Sequence, residues 1–142
     1  MKKLLLLLVI CTALSCKKDA DKTLINTNWV IESTTVTPAM TSGGKTSTNY
    51  LELMGPSSCD ATWILSFAKD GTFTAGANGA LCDLFVDKSI KTWKKNGDQI
   101  FLSTDPNFPF ILKNGKLTQT KTISSQNGIV YTFVYVYISK LM

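Results

Sequence analysis

The chain has 142 residues and a formal net charge of +5, with 15 lysines and neither arginine nor histidine. The absence of histidine excludes Ser-His-Asp and Cys-His catalysis, His-ligated zinc and the usual proton shuttle near neutral pH. The absence of arginine argues against a nucleic-acid site, because such sites rely on bidentate arginine contacts. We therefore expect a protein that is not an enzyme, needs no cofactor or metal and does not bind nucleic acid.

The N-terminal segment is predicted to be an export signal. Two lysines precede an unbroken apolar run at 4–10, which is too short for a membrane span and typical of a secretory signal. The following 13–16 (Ala-Leu-Ser-Cys) resembles the lipobox of bacterial lipoproteins. In that family the chain is cut just before the cysteine, which is diacylated. The resemblance implies a signal peptide at 1–15 and a lipid on Cys16; an ordinary signal peptide and an N-terminal anchor helix are the alternatives.

Residues 16–23 are interpreted as the lipidated cysteine and a short polar tether. Asp19 and Asp21 partly resemble the acidic surface-export signal of lipoproteins in the Bacteroidetes phylum; a generic solvated linker is the alternative. The anchor implies the cell envelope, at the outer membrane, on the periplasmic leaflet or the cell surface. The expected partner is therefore the membrane, reached through the lipid.

Two further cysteines, Cys59 and Cys82, remain in the exported part of the chain. An even pair in an exported protein predicts a disulfide, which would contribute roughly 3 kcal/mol by restricting the unfolded chain. The alternatives are a thiolate metal site and a redox pair, although the first lacks histidine and the second is usually spaced as Cys-x-x-Cys. The bond would bring Asp60 near Asp83 as a weak cation site, but we favour solvated loop acids.

Alternating polar and apolar residues predict strands along the rest of the chain. We place them at 29–36, 62–68, 72–76, 89–95, 99–103, 110–113, 116–124 and 129–139. Residues 37–49 and 105–109 are predicted loops, and 50–58 is either a short helix or an extended cover. Asp-Gly or Asn-Gly pairs that begin at 70, 96, 114 and 127 predict hairpins with type I′ turns, whose two central residues need positive φ.

These hairpins in series predict an all-β antiparallel meander. It must close into a barrel or fold into a sandwich, because free edges would pair with other molecules. We expect a closed barrel of about eight strands, in which strand 129–139 pairs with both 116–124 and 29–36. The side chains expected to point inward are Trp29, Trp63, Phe67, Trp93 and Leu117. The inward face of the last strand stays open, because a one-residue register change reverses it.

The pattern resembles the lipocalin-like domain of small bacterial lipoproteins over residues 24–139. The residues that carry the resemblance include Trp29, Trp63, Phe67, Asp70-Gly71, Phe73, Trp93, Asn96-Gly97, Leu117 and the tyrosine-rich last strand. The resemblance implies one domain at 24–142, an antiparallel barrel with an interior pocket, and no catalytic residues. Thr27 stands where lipocalins have the glycine of Gly-x-Trp, and the arginine that packs over that tryptophan is absent. A lipocalin's ligand is therefore not transferred to this chain.

Aromatic side chains are the candidates for ligand contact in such a pocket. They are Trp63, Phe67, Trp93, Tyr131, Phe133 and Tyr135. The competing interpretation is that they fill the barrel, as side chains often do in small barrels. The leading hypothesis is a monomeric, membrane-anchored lipoprotein that binds a small apolar molecule or lipid. The alternative is a structural or interaction lipoprotein with a solid barrel, whose loops contact a protein or glycan; a cavity of a few hundred Å³ would separate the two.

Overall fold

The computed structural model describes residues 22–79, 81–85 and 89–141. The predicted signal peptide at 1–15, the predicted lipid site Cys16 and most of the predicted tether lie outside these residues. No helix in the described ranges is both long and apolar enough to cross a membrane.

The described chain consists mainly of antiparallel strands. They are β1 Thr27–Ser42, β2 Lys45–Asn49, β3 Trp63–Phe67, β4 Thr72–Ala77, β5 Lys91–Asn96, β6 Gln99–Leu102, β7 Asp105–Lys113, β8 Lys116–Ser124 and β9 Val130–Leu141. A short helix, α1 Tyr50–Met54, follows β2, and 3-10 turns occupy Asp60–Thr62 and Cys82–Phe85. Strands β1 and β3 to β9 close into an eight-stranded barrel, and β2 pairs with β1 as an extra strand. The predicted barrel is confirmed.

The barrel closes where the last strand meets the first. Strand β9 pairs with β1 from Thr27 opposite Leu141 to Thr37 opposite Thr132, with one register shift after Ile31. On its other side β9 pairs with β8 along the whole length of β8. Both predicted pairings of the last strand are therefore confirmed. Its β-branched and aromatic residues suit a strand that is paired on both edges.

The four predicted hairpins form, but three of their turns differ from the expected type. Only Asn114-Gly115 has positive φ at both residues, 52° and 72°, as a type I′ turn requires. At 70, 96 and 127 the glycine alone has positive φ. The Asp70 carboxylate accepts hydrogen bonds from the Thr72 backbone N–H and hydroxyl, at 2.9 and 2.6 Å. That turn is therefore held by its side chain.

The two predicted loops at 37–49 and 105–109 are wrong, because both segments contain strand. The first is the end of β1, a turn at Gly43-Gly44 with positive φ, and β2. Its threonines are β-branched and favour strands. Pro38 lies between Thr35 and Met40, where the β1–β2 register shifts. No ladder hydrogen bond is required there, so the missing N–H of proline is tolerated.

Strand β7 likewise begins at Asp105 and not after Pro109. The two prolines of this segment lie where the pairing of β7 with β6 changes register. Regular pairing with β8 starts only at Phe110. A proline is tolerated at such a position because no ladder hydrogen bond is required of it.

At the end of the barrel where β1 begins, which we name the closed end, buried apolar side chains fill the interior. Residues 22–25 form a helical turn that places Leu24 in the core beside Trp29, and both side chains are fully buried. Phe67 and Leu117 belong to the same buried cluster, and burial of each such side chain contributes roughly 1.5–3 kcal/mol. Two further predicted inward residues, Trp63 and Trp93, are partly buried and pack against this cluster.

Candidate functional site

A cavity of about 440 Å³ opens at the opposite end of the barrel, which we name the open end. Its apolar lining includes core residues Leu65, Phe73, Leu102 and Phe110. Its polar lining comes from residues close to the start of β3, the start of β7 and the adjoining parts of β8 and β9. These are Asp60, Asp105, Gln119, Lys121, Tyr135 and Tyr137, and Lys91 and Thr104 add to them. An apolar cavity with a few polar groups is the usual form of a small-molecule site.

The polar wall is held together by side chains of β7 and β8. Lys121 and Asp105 form an ion pair in which both side chains are mostly buried. Gln119 is only 3% exposed, and its Nε2 donates to the Phe108 carbonyl at 2.7 Å and to Asp105 Oδ2 at 3.4 Å. The Lys121 ammonium also lies 5.9 Å from the centre of the Tyr135 ring, within the range of a cation–π contact. The cavity wall is therefore ordered without a ligand.

Two tyrosines of β9 complete the wall. Burial, and then the nearby Tyr50, Asp60 and Asp105, raise the pKa of Tyr135 to about 12. Burial, followed by Tyr135 and Asp60, raises the pKa of Tyr137 as well. Both hydroxyls are therefore protonated near neutral pH, where each can donate and accept a hydrogen bond.

The tyrosine-rich face of β9 is the one that points into the barrel. Phe133 and Tyr137 are buried, whereas Val130 on the other face is 51% exposed. Among the six predicted contact residues, Trp63 and Tyr135 line the cavity. Phe133 lies between Tyr135 and the helix, stacked on Tyr135 at 6.0 Å and edge-on to Tyr50 at 5.2 Å.

The other three predicted contact residues lie away from the cavity lining. Phe67 and Trp93 pack edge to face with ring centres 5.5 Å apart, and the Trp93 indole donates to the Ala68 carbonyl. Tyr131 is half-buried beside Phe133, at 6.5 Å. These rings are packing partners in the described structure.

Apart from Tyr135, the residues of the polar lining were not predicted to contact a ligand. Gln119 and Lys121 follow Leu117 at alternate positions of β8, so all three side chains share one face. Polar residues at the inward positions that follow a buried apolar residue could have indicated Gln119 and Lys121 as cavity-lining residues. Asp105 was missed because 105–109 was predicted to be a loop.

Helix α1 covers part of the open end. The Asn49 side chain caps it by accepting from the Glu52 backbone N–H at 3.3 Å, and Gly55 ends it with a bond to the Leu51 carbonyl. Of the two alternatives predicted for 50–58, a short helix or an extended cover, the helix is found at residues 50–54. The ring of Tyr50 packs on Phe133, so the helix buries the outer part of the β9 aromatic face.

The predicted disulfide between Cys59 and Cys82 is confirmed, with the Cα atoms 5.5 Å apart. It links the segment that carries Asp60 and Trp63 to the chain that follows β4. Gly79 is packed so closely against it that a Cβ there would lie 2.4 Å from the Cys82 sulfur. The side chain of Asp83 lies outside the described residues. Within those residues no group of three or more acidic or cysteine side chains is placed to hold a metal ion.

Comparison of the chain with protein-family models, with curated proteins and with solved structures finds no match. The function is therefore inferred from the geometry of the cavity and from the N-terminal sequence.

Proposed function

We propose that the protein is a lipid-anchored envelope protein whose lipocalin-like barrel binds a small, largely apolar molecule. The observation that carries this proposal is the cavity of about 440 Å³, whose apolar lining is continuous with the core. A barrel filled by its own side chains leaves no such space. The alternative, a solid barrel that acts through its loops, is therefore not favoured.

The lining of the cavity favours an apolar ligand body. Leu65, Phe73, Leu102 and Phe110 present a surface from which a ligand displaces water. Each buried CH₂ group of a ligand then contributes about 0.8 kcal/mol. Because the wall is already tied by Gln119 and the Lys121–Asp105 pair, little ordering of side chains opposes binding.

The site is suited to binding and not to catalysis. The chain contains no histidine, and two of the cavity's charged groups, Lys121 and Asp105, are paired with each other. The two tyrosines of the wall have raised pKa values and so do not act as bases near neutral pH. These groups are placed to orient a ligand.

The point where the described chain enters the barrel and the mouth of the cavity lie at opposite ends of the domain. The chain enters the barrel at the closed end, through the turn at 22–25, and the cavity opens at the other end. If Cys16 carries a lipid, its tether would join the domain at the closed end and not at the cavity mouth. In this arrangement the ligand enters from the aqueous side.

The experiment that tests ligand binding blocks the cavity with a large side chain. The full-length lipidated protein, in phospholipid nanodiscs, is titrated with the neutral fluorescent probe N-phenyl-1-naphthylamine, with empty nanodiscs as the blank. Ala75 lines the cavity, so Ala75→Trp should abolish the probe signal that exceeds the blank. Thr74 is exposed on the other face of the same strand, so Thr74→Trp should retain it. Equal binding by both variants would contradict the proposal.

A further inference from the structure

The cavity wall carries a hydrogen-bond acceptor without a protein partner. Because Gln119 Nε2 donates to the Phe108 carbonyl, the orientation of the amide is fixed and Oε1 is its free end. No described residue donates to this oxygen. Among the described residues, Thr34 Oγ1 is the one side-chain nitrogen or oxygen atom that is fully buried and makes no hydrogen bond. Gln119 Oε1 is not such an atom, so it is not fully buried. Gln119 Oε1 is therefore accessible, and Gln119 is a residue of the cavity lining.

Two potential donors belong to the neighbouring strand of the cavity wall. Gln119 is directly opposite Tyr135 in the β8–β9 ladder, and Tyr137 occupies the next inward position of β9. Directly opposed residues have Cβ atoms about 4.5–5.5 Å apart, so the side chains of Gln119 and Tyr135 leave the sheet next to each other. In the described part of the chain neither tyrosine hydroxyl makes a hydrogen bond with the protein. The wall thus offers one acceptor and two hydroxyls to a ligand.

The charges around the cavity provide no net attraction for an ion. Its charged lining consists of Asp60, Asp105, Lys91 and Lys121, which sum to zero. Lys121 is neutralised by Asp105, so it is not free to pair with a ligand carboxylate. Asp60 and Asp105 also disfavour negative charge on Tyr135, and they would oppose an anionic ligand group at the same place.

We infer that the ligand is an uncharged molecule with an apolar body and a hydroxyl or amide group that hydrogen-bonds to Gln119 and to the hydroxyls of Tyr135 and Tyr137. The inference rests on the proposed ligand-binding function and names the chemical class of the ligand. A hydroxyl donates to Gln119 Oε1 and accepts from a tyrosine. A carboxylate cannot donate, so it would leave Gln119 Oε1 unpaired.

The test compares three probes of similar size: 2-naphthalenemethanol, 2-naphthoate and 2-methylnaphthalene. Each is titrated into the mature lipidated protein in nanodiscs, and binding is followed by quenching of tryptophan fluorescence, since Trp63 lines the cavity. Empty nanodiscs correct for partition of the probe into the lipid. The alcohol should bind about tenfold more tightly than the hydrocarbon, which is the usual size of a net hydrogen-bond contribution. It should also bind at least tenfold more tightly than the carboxylate.

Matched variants test whether Gln119 and Tyr137 cause the preference for the alcohol over the hydrocarbon. Gln119→Leu and Tyr137→Phe should each reduce the preference for the alcohol over the hydrocarbon about five- to tenfold. Gln126→Leu, in the exposed β8–β9 turn, and Tyr131→Phe, outside the cavity lining, should leave that preference unchanged. Because the wild-type comparison needs no variant, the inference remains falsifiable if Gln119→Leu fails to fold.

The outcomes separate this inference from the proposed function. Binding of the hydrocarbon with no preference for the alcohol, or tighter binding of the carboxylate, would overturn the inference and leave the function standing. An unchanged alcohol preference in both cavity variants would also overturn it. If none of the three probes binds, both the proposed function and the inference are wrong.

Discussion

The indole Nε1 of Trp29 donates a hydrogen bond to the Leu24 carbonyl at 3.1 Å, and both side chains are fully buried. This contact fastens the chain that precedes β1 to the closed end of the barrel. It also fixes where the described chain enters the barrel. The closed end is therefore stabilised by residues that lie outside the sheet.

Leu24→Ala should lower the free energy of unfolding by about 2–5 kcal/mol, because it leaves a cavity among residues that already fill the closed end. The measurement is urea denaturation of the full-length protein followed by tryptophan fluorescence. Asn26→Ala is the control, since Asn26 is exposed in the same segment, and it should change stability by less than about 0.5 kcal/mol. A loss of equal size in both variants would contradict the role of Leu24.

Phe133→Ala should cost about 3–5 kcal/mol of stability while leaving probe affinity nearly unchanged. Phe133 is buried between Tyr50 and Tyr135 but is not part of the cavity lining. The denaturation midpoint and the binding of N-phenyl-1-naphthylamine are measured on the same preparation. A large stability loss, combined with no probe binding to the wild type, would reject the cavity as a ligand site.

The raised pKa of Tyr135 predicts a stability loss at alkaline pH. Its pKa is about 12 in the folded chain against 10.0 for the free group, so folding favours the protonated hydroxyl. This contribution is fully present below about pH 10 and is lost as the pH rises from about 10 towards 12. Denaturation midpoints from pH 8 to 11 should therefore fall more steeply for the wild type than for Tyr135→Phe. Parallel curves would show that Tyr135 does not contribute.

Cys16→Ser tests the anchor. Acyl chains contribute about 0.8 kcal/mol per buried CH₂, so loss of the lipid should release the protein from the membrane or leave an unprocessed precursor there. Membrane fractionation and the intact mass of the product provide the measurement. A mutant that is still cut before residue 16 and remains in the membrane fraction would contradict lipidation.

Much of the fold was predictable because the turns and the alternation lie in the local sequence. The Asn114-Gly115 turn and the inward Leu117 follow from residue type and spacing alone. The predictions failed where the local composition indicated a loop but the pairing between strands continues. Proline and glycine at 37–49 and 105–109 indicated loops, whereas register shifts allow β1 and β7 to continue through their prolines.

The cavity was harder to predict than the barrel. Whether aromatic rings fill a barrel or line a space depends on how neighbouring strands place them, and a shift of one residue reverses a strand's faces. Phe67 and Trp93 pack on each other, while Trp63 and Tyr135 line the cavity, although all four are aromatic strand residues. The hydrogen bond between Gln119 and Asp105 joins β8 to β7. It could not be predicted, because Asp105 was assigned to a loop and not to the start of β7.

The most direct measurement is native mass spectrometry of the protein extracted from its own cells. If the barrel binds a small molecule, the wild type and Thr74→Trp should carry the same additional non-covalent mass, and Ala75→Trp should lack it. A wild-type protein without any additional non-covalent mass would contradict ligand binding in the cavity and would favour a barrel that acts through its surface.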